Sequence, residues 1–296
     1  MLGEARHGTR TSPRTVSEPI ASGEFVLGHV TVEERTEQGH VLGEADRRTL
    51  ASLAASTAVA AHSHIRLRER DDAQHATIFA LARLAEYRDD ETGKHLERVS
   101  EYCRLLAEGL REDGHHLGVI TDPFVRDIVL SAPLHDIGKV GIPDSILLKP
   151  GPLTEEEWEV MRWHPTIGAE TLRNTLETFG EQSFLRMALE IAWCHHEKWD
   201  GSGYPRGLHG EETPLAARIM ALADCYDALT TKRPYKEAWP HEEAVAWISE
   251  QSGKHFDPRV VEAFEKRAQR FDEVRRNLAD DGTALSPRAA RSQPVA

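Results

Sequence analysis

Cysteine is scarce in this chain, and no two cysteines stand as a CxxC pair. Cys103, Cys194 and Cys225 are the only three in 296 residues, an odd count that suits a reducing compartment. Cys194 and Cys225 lack the spacing of a thiolate site and read as small core residues. No stretch approaches the roughly 20 uninterrupted apolar residues of a membrane span, and the opening MLGEARHGTRTSPRTVSEP has no apolar run of the kind a signal peptide carries. A cytoplasmic location is the expectation. Positive charge is short as well: 36 Lys and Arg face 49 Asp and Glu, for a net charge of −13. That argues against a duplex DNA binder, which needs a basic footprint, but a few local cations can still hold a small anionic ligand. No repeat of roughly 20–50 residues is visible. No strand-rich region is visible either, which excludes βαβ folds.

What is present fits a globular protein, with 40% hydrophobic and 29% charged residues. The length allows one large domain, or a medium domain with a smaller piece. Residues 1–20 are rich in Thr, Ser, Arg and Pro and read as disordered. The alternation in EFVLGHVTV (24–32) predicts a strand, and Gly43–Asp46 opens an Ala-rich helix toward Arg70 that carries Leu50, Leu53, Ala54, Ala61 and Ile65. From 72 to 270 the pattern is helical almost throughout, with turn-rich breaks at 138–154 and 200–214. Its first helix carries Ile78, Leu81, Ala82 and Ala85, later helices are predicted at 124–135 and 257–270, and residues 271–296 are expected to be a disordered tail.

Sixteen histidines decide nothing by number; their placement does. His95 shares a face with Val99 and Tyr102, and Glu91 lies four residues before it. His135 continues the face of Ile128 and Ala132, with Asp136 following. His195 continues the face of Phe184, Ala188 and Ile191, and His196 that of Leu185, Leu189 and Ala192. Asp224 sits with Ala217 and Met220, and His164 precedes Pro165, which can open a helix. A lone histidine on an apolar face is usually a satisfied core residue, and His115-His116 in a turn reads as exposed. Several imidazoles and carboxylates pointing at one core need a common partner, because an unpartnered buried carboxylate is very costly. Divalent metal ions meet that need, and helices can project such ligands into one site.

Three segments resemble the HD-GYP group of HD phosphohydrolases: EYRDDETGKHLERV (86–99), HDIGKVGIPDSILLKPGPLT (135–154), and HHEKWDGSGYP (195–205) with its continuation to TTKRPYK. The resemblance covers 72–270. It implies an all-α, HD-type helical bundle with a metal centre in its core, here preceded by a short strand and a long linker helix. It further implies a phosphodiesterase that hydrolyses cyclic di-GMP to pGpG or GMP. Carried over by motif position, the metal ligands are His95, His135, Asp136, His164, His195, His196 and Asp224, with Asp136 bridging. Glu91 matches a position that helps hold a third ion in some members, so two or three divalent metals, iron or manganese, are expected. His135 and Asp136 then serve catalysis through the metals, and Lys139 stabilises charge at the phosphate. Tyr204, Gly203, Arg233 and Lys236 are implied to bind substrate, and Arg88, Asp89 and Arg98 to form an ion-pair network. VLGEADRRTLASLA (41–54) resembles the end of a GAF domain, making 21–71 a partial GAF-like strand and linker helix. It is too short for a complete sensory pocket, which leaves a remnant or a start placed too late. Homodimerisation through this helix and docking of diguanylate cyclases on the GYP surface are further expectations. Two alternatives stay open: a non-catalytic cyclic-dinucleotide sensing or docking module, and an HD hydrolase acting on another nucleotide.

Overall fold

The computed structural model describes residues 15–22, 25–33, 43–86, 93–232 and 237–279. Two units divide the chain after Gln74. In the first, β1 (Thr15–Ser22) and β2 (Phe25–Glu33) form an antiparallel hairpin, with Val16 opposite Val32 and an irregularity between Ile20 and Ala21. The expected disorder of 1–20 is therefore corrected for 15–20. The Pro-rich composition of this stretch pointed to disorder, but a two-stranded ribbon consists only of edges, where proline such as Pro19 is tolerated. Helix α1 (Glu44–Glu86) follows and runs unbroken through the unit boundary. It buries Leu50, Ala54 and Ala58 near its start and Ile78, Ala82 and Ala85 near its end, whereas Leu53, Ile65 and Leu81 are exposed. Among the described residues, no helix is long and apolar enough to cross a membrane.

The second unit is helical. Its centre is α2 (His95–Glu112), which buries Val99, Tyr102, Cys103, Leu106 and Leu110. Each such aliphatic side chain contributes about 1.5–3 kcal/mol through lost apolar exposure. Helix α3 (Asp122–Ser131) is capped by Thr121 and ends before Pro133, where the chain tightens into a 3₁₀ turn (Ala132–Leu134). The predicted helix 124–135 is thus shorter, and His135 leaves its end. A second 3₁₀ turn (Ile137–Gly141) and the short α4 (Asp144–Leu147) occupy the turn-rich stretch. Helix α5 (Glu155–Met161) starts on a capping box between Thr154 and Glu157. Next come α6 (His164–Phe179) and α7 (Ser183–Cys194), then α8 (Leu215–Thr230), buried on nearly every side. Helices α9 (His241–Glu250), α10 (Pro258–Glu265) and α11 (Ala268–Asn277) complete the unit.

Two further expectations need correction. The single helix at 257–270 is two helices, α10 and α11, broken at Lys266–Arg267. Residues 271–277 are not a disordered tail. AQRFDEVRRN reads as polar, yet its Phe271 is fully buried, stacked on Tyr102 at 4.5 Å and edge-on to Tyr226 at 5.2 Å. One aromatic residue in a charged segment carries little periodicity, but its rings dominate the packing there. His115 and His116 are half-buried, not exposed.

Candidate metal centre

Three local features bring distant residues together. The first is Gly138. A Cβ atom there would lie 2.0 Å from the His164 carbonyl oxygen and 2.5 Å from the Gly168 backbone nitrogen. The turn that follows Asp136 therefore rests directly on the first turn of α6, which carries His164. Gly138→Ala is expected to destabilise the fold by about 3 kcal/mol, since backbone cannot give way as a side-chain end can. A lower urea midpoint with an unchanged slope would register it.

The second feature is where the helices end. His164 opens α6 with Pro165 behind it, and His195 follows the last residue of α7. The imidazoles are fixed by their Nδ1 atoms against carbonyl oxygens at these ends. His135 Nδ1 lies 3.0 Å from Ala132 O, His164 Nδ1 2.8 Å from Met161 O, and His195 Nδ1 3.0 Å from Ile191 O. Each ring thus turns its Nε2 inward.

The third is a buried carboxylate on α8. Asp227 accepts a bond from His95 Nδ1 (2.8 Å) and two from Arg98, through Nε (2.6 Å) and Nη2 (2.9 Å). Arg98 and Asp227 side chains are each 2% exposed. The pair places α2 against α8 and presents His95 Nε2 to Asp224 Oδ1 at 3.9 Å.

The result is two adjoining clusters. Asp136, His164, His195 and His196 form one, and His95, His135 and Asp224 the other; within each, one ligand atom per residue lies within 4.8 Å of the rest. Asp136 joins them. Its Oδ1 is 3.2 Å from His164 Nε2 and 3.4 Å from His195 Nε2, while its Oδ2 is 3.2 Å from His135 Nε2. His135 Nε2 and His195 Nε2 are buried, and at these separations neither makes a hydrogen bond of good geometry. Burying such atoms unsatisfied is costly, and imidazole with carboxylate is a donor set for first-row divalent metals. The residues fit such ions.

Electrostatics agree. Burial, helped by the neighbouring His195 and His164, holds His196 well below the usual imidazole range, so it is neutral with a lone pair to offer. Burial alone would raise the Asp136 carboxyl; Lys139 and His135 outweigh it and hold the group well below the usual carboxylate range. Lys139 Nζ stands 2.7 Å from Asp136 Oδ2 and is 13% exposed.

All seven motif-matched ligands other than Glu91 are therefore gathered in one place, with Lys139 beside them. Glu91, Arg233 and Lys236 lie outside the described residues, as do Arg88 and Asp89. Tyr204 is half-buried, its ring stacked on His196 at 4.8 Å and 25°. Gly203 has a packing role: a Cβ there would meet Lys198 N at 2.3 Å and His196 O at 2.6 Å.

Three carboxylates were missed in the sequence. Asp227 lies three residues after Asp224 on one helix face, a spacing that could have revealed it. Glu86 Oε1 is 3.9 Å from His95 Nε2 on the side away from α8's Asp227 bond. Glu197, directly after the histidine pair, is 2% exposed.

A helical core that converges five imidazoles and two carboxylates on a bridged pair of sites is a donor set for divalent metal ions. The HD domain family matches residues 80–260, and the chain belongs to that family. A cyclic di-GMP phosphodiesterase of Vibrio cholerae is 52% identical over 203 residues, covering 69% of this chain and 41% of that protein. A probable cyclic di-GMP phosphodiesterase of the same organism is 49% identical, covering 74% and 50%. A 3'3'-cGAMP-specific phosphodiesterase 2, also from Vibrio cholerae, is 41% identical, covering 69% and 36%. The chain thus spans about half the length, or less, of these relatives.

Proposed function

We propose that this chain is a metal-dependent phosphodiesterase of the HD-GYP group that hydrolyses cyclic di-GMP to pGpG or GMP. The observation that carries the reading is the Asp136 bridge between two ligand clusters, with the Lys139 ammonium at 2.7 Å. His164, His195 and His196 would hold one ion with Asp136 Oδ1; His95, His135 and Asp224 would hold the other with Asp136 Oδ2. Iron or manganese suits these donors, and Glu91 would assist a third ion. Bound there, divalent ions supply Lewis acidity at phosphorus and an activated water.

The chain's own residues do the rest. Asp136 keeps its negative charge between the two imidazole sets, so both oxygens remain available as ligands. The four histidines whose Nδ1 atoms are held cannot rotate, and the centre is preorganised. Lys139 places a positive charge where the non-bridging phosphate oxygens gain charge in the transition state. Tyr204, stacked on His196, offers its hydroxyl edge to the nucleotide, while Arg233 and Lys236 would bind phosphate or guanine. The segment 21–71, in the GAF-like reading, would pass an input signal along α1, and the exposed Leu53 and Leu67, two heptads apart, suit a parallel homodimer. The GYP surface would dock diguanylate cyclases.

Anaerobically purified protein, loaded separately with ferrous iron and manganese, is expected to release linear or mononucleotide product from cyclic di-GMP. The 41% identity to a protein named for 3'3'-cGAMP favours a second reading, turnover of a mixed dinucleotide, so both substrates belong in the assay. Faster turnover of 3'3'-cGAMP would replace the first reading with the second. Binding of two or three ions with no turnover of either would point to a sensing module.

A further inference from the structure

The loop after the histidine pair is tied to the metal centre through one buried carboxylate. Glu197 sits at the point where α7 gives way to the loop, and its side chain faces inward. One oxygen accepts the Arg206 backbone N–H at 2.7 Å and the other accepts the Leu208 N–H at 3.0 Å. Both donors lie on the far limb of the loop, just past Tyr204 and Pro205. On the near limb, Tyr204 N donates to His196 O at 3.2 Å, and Gly203 packs on residues 196–198 with no room for a side chain. The Arg206 guanidinium lies over the Trp193 ring, 4.5 Å from its centroid, on the preceding turn of α7. The loop is thus fastened at three points to the segment 193–198, which also presents His195 and His196.

We infer that Glu197 is a positioning residue for nucleotide recognition: its carboxylate sets the loop so that Tyr204 lies against His196 at the mouth of the metal centre. A carboxylate with one oxygen for each of two N–H groups is the group that fits. A glutamine in the same place keeps a single acceptor and turns an amide N–H₂ toward the second donor, which would then be buried without a partner. Among the described residues no hydrogen bond or ion pair joins Glu197 to a ligand atom of the clusters, so its effect on chemistry runs through the loop. The consequence is selective. A large cyclic dinucleotide needs the loop, whereas a small diester such as bis(p-nitrophenyl) phosphate needs only the metals and Lys139. The inference rests on the proposed phosphodiesterase reading for its kinetic arm alone.

The test compares the full chain with Glu197→Gln. Hydrogen–deuterium exchange, which requires neither metal nor substrate, should show the Arg206 and Leu208 amides exchanging at least about tenfold faster, with α2 and α8 protected as before. With metal loaded, kcat/KM for cyclic di-GMP should fall about 100-fold, the size expected for a misplaced binding element. Hydrolysis of bis(p-nitrophenyl) phosphate should stay within about twofold. Unchanged exchange in the loop, or an equal loss on both substrates, would overturn the inference. If the parent chain itself turns over no cyclic dinucleotide, the proposed function fails while the exchange result still decides the role of Glu197. Should Glu197→Gln not fold, Arg206→Ala, at an exposed position, releases another fastening of the same loop. It is expected to give the same selective loss at smaller size, and equal losses on both substrates would count against the inference.

Discussion

Replacing His135 and Asp136 together by alanine is expected to lower cyclic di-GMP turnover by about 10³-fold or more, the scale of losing a principal electrostatic element of a catalytic site. His135 belongs to one cluster, and Asp136 is the residue whose two oxygens face both. The double change therefore takes a ligand from each site at once. The fold should survive, because Lys139, the cation that loses its Asp136 partner, is 13% exposed and can take water in its place. Metal analysis of the purified variant should find less than one ion per chain, with circular dichroism like that of the parent. Retention of the full metal complement, or of more than a tenth of the activity, would show that these residues are not the bridge.

Asp227→Ala is expected to be the most damaging single change for stability. It strips the acceptor from a buried guanidinium and from a ring nitrogen together, leaving Arg98 charged and without its carboxylate. Breaking one side of a buried ion pair costs about 3–5 kcal/mol. For a unit of this size that is a fall of about 10 °C in Tm. Metal affinity should drop about 10–100-fold as His95 loses the partner that orients it, which titration calorimetry of the metal-free protein would read. The same residue sets a pH dependence. Burial pushes the Asp227 carboxyl up, but bonds from His95 and Arg98 outweigh it and hold the group below the usual carboxylate range. A pKa depressed by folding contributes stability that is complete above the unfolded value, near 4, and is lost as pH falls through the folded one. Asp227→Asn should accordingly flatten the acid limb of the stability curve below about pH 4. A parallel limb in parent and variant would refute this.

The clustering of these imidazoles and carboxylates was legible because each stands on an apolar face or at a helix end, so local periodicity and motif order already marked it. His95 with Val99 and Tyr102 is one case, and His164 before Pro165 another. What could not be read locally was the set of partners that hold those ligands. Asp227 meets His95 across 132 positions of sequence, and an aspartate on a buried helix looks the same whether it binds a metal, an arginine or water. Glu197 was hidden for the opposite reason: within a string of charged and turn residues, nothing local marks one glutamate as buried. Strand β1 and most of α11 were missed because their apolar residues are few, whereas the alternation in 24–32 marked β2. Val16 and Ile20 are separated by Glu18 and Pro19, and Phe271 works through ring packing more than through periodicity.

The two clusters draw on different lengths of the chain, which gives synthesis a direction. Asp136, His164, His195 and His196 are all present once residue 196 has been made, whereas the second cluster lacks Asp224 until α8 follows. Because chains emerge from the amino end, all the donors of the first cluster are available before the second has its carboxylate. The Asp227–Arg98 lock, which closes α8 onto α2, comes later still. The second position therefore waits for α8 before it has a carboxylate of its own.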